Sequence, residues 1–323
     1  MSSDMMLPAR RSTWEFSPAL IVFLLLAAVP VISAWVGTTY YLTLFSRVMI
    51  FGMAAVALNL ILGFGGLVSL GHALYIGVGA YAVGILTRYG IVDFGSHLAV
   101  AIAIIAALAC GIGWISLRTR GLGFIMITMA FGQMFYYLAI SLKIYGGDEG
   151  LVLPSRSLVA GANVLENPIV FYYVVLALLL LVVTNVHALT RAPFGLVLSG
   201  ARQNEERLRT LGYSLLRYRL TAYVISAVIA GVAGCLLANL TKFSSPEYMS
   251  WTQSGTLVVM AVLGGLSTTV GPLVGAIAIL LLEELLSSWT DHWMAGVGLV
   301  IVAIVLFATD GLYGALVRKW RAS

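Results

Sequence analysis

Few side chains in this sequence could do chemistry, and the densest group lies in residues 191–219. Six arginines there surround two adjacent acids, Glu205 and Glu206, and Gly212 follows them. Residues 203–211 are good helix formers, and a glycine at 212 can end a helix in the left-handed conformation. The stretch therefore predicts one short amphipathic helix, with Leu208 and Leu211 on one face and arginines on the other. Pro193 and Gly195 precede it as breakers. The chemistry this offers is recognition of another protein through charge. Glu283 and Glu284 form a second acidic pair; a carboxylate pair inside a membrane could relay protons. The span assignment places them within about a turn and a half of its outer end, so they read as rim residues. His72 opens a glycine-rich segment and reads as a hydrogen-bonding partner for freed backbone. Asn59 and Gln133 read as bridges between helices. The catalytic signatures H-E-x-x-H and G-x-S-x-G do not occur, and neither does the phosphate loop G-x-x-x-x-G-K-[ST]. No catalytic or metal-ligating residues are assigned.

The elements that carry these residues are apolar. The chain has 323 residues, 61% of them hydrophobic and 10% charged, against about 25% charged in a soluble domain. Its solvent is lipid. Continuous apolar runs without a period of two predict helices: 18–36, 42–62, 69–87, 97–117, 122–142, 169–189 and 220–240. A broken region follows, split by Gly264-Gly265 and Gly271-Pro272 into 254–267 and 272–288. A last run covers 293–309. The expected fold is an all-α polytopic bundle of about ten membrane segments, some short or broken. Residues 1–17 and 315–323 are tails around a membrane domain at 18–314, with an outer loop at 143–168. Cys110 and Cys235 lie in apolar runs and read as small core residues. Trp289, Trp293 and the tyrosines 40, 41, 136, 137, 172 and 173 read as belt residues at the interfaces.

Alternating the spans from an internal N-terminus places 13 of 18 basic residues on the inner side. This satisfies the positive-inside rule and puts both termini inside. The sequence Gly-Gly-Leu occurs at 65–67 and again at 264–266. Each copy is followed by a Gly-His or Gly-Pro pair and a glycine-rich helix, which suggests a repeat with interrupted helices. Gly65, Gly66, Ser69, His72, Gly264, Gly265 and Pro272 are accordingly the candidates for the pathway and its helix breaks.

Glu206 with Gly212 at the seventh position resembles the E-A-A-x-x-x-G signature of bacterial ABC importer permeases. Residues 63–72, GFGGLVSLGH, are similar to the G-x-x-G-x-x-S-L-G-H signature of branched-chain amino-acid permeases. Gly146-Gly147-x-x-Gly150-Leu151, Arg191-x-Pro193-Phe194-Gly195 and VLGGL at 262–266 with Gly271-Pro272 fit the same family in the same order. The chain most resembles the LivM-like permease subunits. Arg207-Leu208 departs from the usual Ala-Ala. Glu149 stands where asparagine is common, a departure that bears on the ligand.

The resemblance implies a multi-pass permease of the bacterial inner membrane and no enzyme. Coupling to an ATPase would fall to Glu205, Glu206, Arg207, Arg209, Leu211 and Gly212. A soluble binding protein would meet Gly146, Gly147, Asp148, Glu149 and Gly150. A related LivH-like subunit would complete the permease pair. This chain would bind no cofactor; ATP and magnesium would sit on the partner ATPase. The cargo would be branched-chain or similar small amino acids. Urea and short-amide importers share most of these motifs, and an ion-coupled secondary transporter is the reading from a different class.

Overall fold

The computed structural model describes residues 16–289, 292, 294–299, 302 and 311–314. Eleven helices of six residues or more lie between 16 and 289: α1 (Phe16–Val36), α2 (Tyr40–Asn59), α3 (Ala73–Arg88), α4 (Phe94–Ser116), α5 (Leu122–Ser141), α6 (Pro168–Arg191), α7 (Pro193–Gln203), α8 (Glu205–Thr210), α9 (Leu215–Thr241), α10 (Trp251–Gly264) and α11 (Gly271–Ser287). A π-helical turn, Leu60–Phe64, continues α2. The strands β1 (Leu151–Val152) and β2 (Phe243–Ser244) pair antiparallel. Nine of the ten expected segments are helices here. The tenth, 293–309, lies largely outside the described residues, as do the tails at 1–15 and 315–323.

Among the described residues, six helices are long and apolar enough to cross a membrane. Helices α3 and α10 have 16 and 14 residues, or about 24 and 21 Å, short of a roughly 30 Å hydrocarbon core. Unwound chain completes each of them. The helix expected from residue 69 begins at Ala73, after an irregular stretch at 65–72. A 3-10 turn, Pro246–Met249, leads into α10. Both stretches meet at half the height of α5. A Cβ on Gly132 would lie 3.6 Å from the Cα of Gly71 and 4.0 Å from the carbonyl of Met249.

Helices α2 and α9 form the interior, and α1, α4, α5 and α6 lie outside with most of their surface uncovered. Small residues on α9 bring backbones into contact. A Cβ on Gly79 would strike the carbonyl of Gly231, and one on Gly234 the carbonyl of Ile76. The buried Cys235 thiol donates to the carbonyl of Gly79 at 3.3 Å. Close helix approach of this kind replaces the hydrophobic drive that lipid removes.

Side chains cap the outer helices. Asp93 accepts from the Ser96 amide at 3.0 Å, and Asn167 from the Ile169 amide at 3.0 Å. Two residue readings need correcting. Tyr172 is no belt residue: it is fully buried, and its hydroxyl donates to the Leu26 carbonyl at 2.7 Å. Cys110 is exposed on α4 rather than packed in the core.

Replacing Gly234 with valine should overpack the α3–α9 crossing and cost about 1–3 kcal/mol. Gly111→Ala, where a Cβ meets nothing within 4 Å, is the control. Thermal unfolding in detergent should separate the two, with equal midpoints refuting the crossing.

Candidate functional site

The 191–219 stretch holds two helices rather than one. Pro193 starts α7 from its first turn, where a missing amide costs nothing. Gly195 is helical too. A Cβ there would strike the Thr190 carbonyl, so the glycine lets α7 fold back tightly against the end of α6. The two supposed breakers thus shape a corner between helices. Phe194 packs on Tyr218, with ring centroids 5.6 Å apart, which holds α7 to α9.

Helix α8 has only six residues and depends on its caps. The Asn204 side chain accepts from the Arg207 amide at 3.0 Å. At the other end Gly212 takes φ +86°, its amide bonds to Arg209, and the Tyr213 amide bonds back to Leu208. This is a Schellman stop, with glycine at the position that needs a left-handed backbone. Leu208 packs against a small cluster of Val197, Ala201 and Leu215. Leu211 does not share that face; it is exposed.

The two acids part company. Glu205 accepts from Arg209 at 2.7 Å, pairs with Arg120 at 3.0 Å, and meets both terminal nitrogens of Arg219 at 3.2 Å. One carboxylate thereby joins the α4–α5 connection, α8 and α9. Glu206 is exposed and has no partner among the described residues, as is Arg207. Pairs with exposed partners such as Arg120 and Arg209 each contribute little, about 0–1 kcal/mol; the Arg219 pair is largely covered and anchors α8 to α9.

Both Gly-Gly-Leu copies come to this same arginine-rich end and touch. The Asn59 amide donates to the Thr268 carbonyl at 2.7 Å. Ser267 Oγ donates to the Gly63 carbonyl at 2.7 Å. Gly66 and Gly265 have positive φ, as does Ser267 at +63°. Pro272 starts α11, and Gly264 lies so close to Gly271 that neither could carry a side chain.

Ser69 and His72 lie deeper and are fully buried. Ser226 Oγ donates to the Ala57 carbonyl at 2.5 Å, so it accepts from His72 Nε2 at 2.9 Å. His72 Nδ1 then accepts from Ser69 Oγ at 3.0 Å. Every hydrogen-bonding position on this neutral ring is taken. The ring ties the unwound stretch to α9 and α2.

At the opposite end the outer loop is pinned down. Leu151 pairs with Ser244, and the Ser157 amide donates to Asn239 Oδ1 at 2.7 Å. Arg156 lies over Phe171 and donates to the carbonyls of Asn239 and Leu165. Lys242 Nζ is 2.5 Å from Glu166. Gly146, Gly147 and Gly150 all have positive φ, and Asp148 and Glu149 between them are exposed. Glu284 accepts from the Tyr40 hydroxyl; Glu283 and Glu284 are both partly covered. Gln133 Nε2 is buried without a partner among the described residues, so there Gln133 makes no bridge through its amide nitrogen, unlike Asn59.

Residues 40–309 match the family model described as branched-chain amino acid transport system / permease component. The chain belongs to that family. It is 30% identical over 288 residues to the high-affinity branched-chain amino acid transport system permease protein LivM of Escherichia coli K12, covering 82% of this chain and 68% of the relative. A probable branched-chain amino acid transport permease protein LivM of Methanocaldococcus jannaschii is 26% identical over 72% of this chain and 77% of its own. An autoinducer 2 import system permease protein LsrC of Enterobacter sp. strain 638 is also 26% identical, over 87% and 84%. No solved structure matches. This chain is thus a helical, multi-pass ABC permease component, and the spread of relatives leaves its cargo to be argued.

The Lys242 ammonium holds the Glu166 carboxyl below its ordinary value of 4.5, helped by the Arg156 amide. A depressed carboxylate contributes stability above its unfolded value and loses it as pH falls through the folded one. Protease cutting at 153–167 should therefore rise below about pH 4.5, and Glu166→Gln should show the raised rate already at neutral pH. A Glu166→Gln rate equal to wild type at neutral pH would exclude the pin.

Proposed function

We propose that this permease imports branched-chain or similar small amino acids across the bacterial inner membrane, powered by separate ATPase subunits. The arginine-rich end would face the cytoplasm with both termini, as the excess of arginine there favours. The observation that carries the coupling assignment is α8: a capped six-residue helix standing on the Glu205 contacts, with Glu206 and Arg207 left exposed for a partner. ATP and magnesium would bind to that partner, since this sequence has no phosphate loop.

The opposite end would receive a soluble binding protein at the pinned loop carrying Asp148 and Glu149. A related permease subunit would pair with this chain. Helix α5 offers a surface for that pairing, with Leu122, Met126, Met134, Tyr137 and Leu138 exposed along it. Two relatives are named for autoinducer 2 import; the signature at 63–72 and the LivM relatives favour amino acids.

Leucine uptake into proteoliposomes holding the whole transporter should require ATP hydrolysis and survive collapse of ion gradients. Uptake that follows an ion gradient without ATP would overturn the proposal. Gly212→Val, strained at φ +86°, and Glu206→Ala should each cut uptake at least fivefold with insertion unchanged; normal uptake in both would refute the docking role of α8. Reversing Asp148 and Glu149 to arginine should raise the binding-protein concentration needed for half-maximal uptake about tenfold, equivalent to about 1.4 kcal/mol.

A further inference from the structure

Arg202 lies one residue before the end of α7, and its guanidinium reaches both interrupted helices. Its Nη1 donates to the Gly63 carbonyl and, at 2.8 Å, to Ser267 Oγ. Its aliphatic stem lies against Gly66, where a Cβ would come within 2.8 Å of Arg202 Cγ. Gly63 belongs to the π-helical turn that ends α2, and Ser267 follows the second Gly-Gly-Leu copy. The two loops and α7 together line a half-open cleft of about 330 Å³, formed by Gly63, Phe64, Ser199, Arg202, Gln203 and Ser267.

We propose that Arg202 is the positioning residue through which the coupling helices move both interrupted segments at once. Three observations carry this. The Gly63 carbonyl has been released from the regular helix ladder by the π turn, so its hydrogen bonds come from side chains that can leave it. Ser267 is held in a left-handed conformation unfavourable for a residue with a side chain, a form of strain that persists only while neighbours enforce it. Arg202 itself is exposed, and its bond to Ser267 lies open to solvent, so water can replace that bond when α7 shifts. Arginine suits the role because the planar guanidinium fixes the directions of the two Nη1 hydrogens, one for each acceptor, whereas a lysine ammonium rotates freely. Displacement of α7 by an ATPase would release the 63–67 and 264–268 loops together. These loops lead directly into the unwound stretch before α3 and into α11.

The proposal rests on the ABC permease reading, and two readouts keep the two apart. In the reconstituted full transporter, the leucine moved per ATP hydrolysed should fall at least fivefold in Arg202→Ala. Arg202→Lys should restore part of it, and Ser267→Ala should fall by about twofold. Separately, Leu67→Cys in a Cys110→Ser chain should react with a maleimide at rates differing at least threefold between nucleotide-free and ATP-bound complexes. That difference should vanish in Arg202→Ala. A wild type without ATP-driven leucine uptake would defeat the functional reading, while the labelling still judges Arg202. Labelling that responds to ATP equally with and without Arg202 would overturn the positioning role. So would an unchanged leucine-to-ATP ratio in Arg202→Ala or, should that variant fail to assemble, in Ser267→Ala.

Discussion

A chain surrounded by lipid can unwind only where its freed backbone groups find partners inside the protein. This molecule unwinds twice at mid-height, before α3 and before α10, and its polar side chains gather to meet that demand. The Ala73 amide, first in α3, donates to Ser254 Oγ at 3.0 Å. His72, Ser69 and Ser226 anchor the first stretch to α9 and α2, and Ser250 caps α10 through the Gln253 amide. Without these partners each loose amide or carbonyl would cost several kcal/mol in hydrocarbon. The positions of the breaks therefore dictate where the buried polar residues must be.

Helix α9 gives the breaks something firm to stand on. Its 27 residues extend about 40 Å, and its small side chains let α3 approach at backbone contact. Both of its ends are tied. Arg219 near the first turn holds Glu205 of α8, and Asn239 near the last turn holds Ser157 of the outer loop. One rod thus joins the arginine-rich end to the far loop. A partner that moved α8, as proposed, would have a stiff element to act through, and so would Arg202 on its neighbour α7.

The helices themselves were legible in the sequence because lipid burial leaves a plain mark, long apolar runs about 20 residues in length. Nine of the expected segments lie where the hydropathy put them, to within a few residues. The 191–219 stretch was legible as a polar island, but its division into two helices was not. Pro193 and Gly195 carry the local signature of breakers, yet their role depends on the end of α6 lying alongside. Tyr172 has the composition of a belt residue. Only packing against α1 shows it buried, with Leu26 supplying an acceptor.

The recurrence of Gly-Gly-Leu could be read from the sequence, as could the pairing of Glu205 with Glu206 and the lack of a phosphate loop. These follow from residue type and order, to which local conformation and solvent respond directly. That the two glycine loops touch, that Arg202 bridges them, and that Glu205 turns inward while Glu206 stays exposed were settled by tertiary structure alone. Those contacts join residues 14 to more than 200 positions apart. Their partners are chosen by how whole helices pack, which no local pattern of residues encodes.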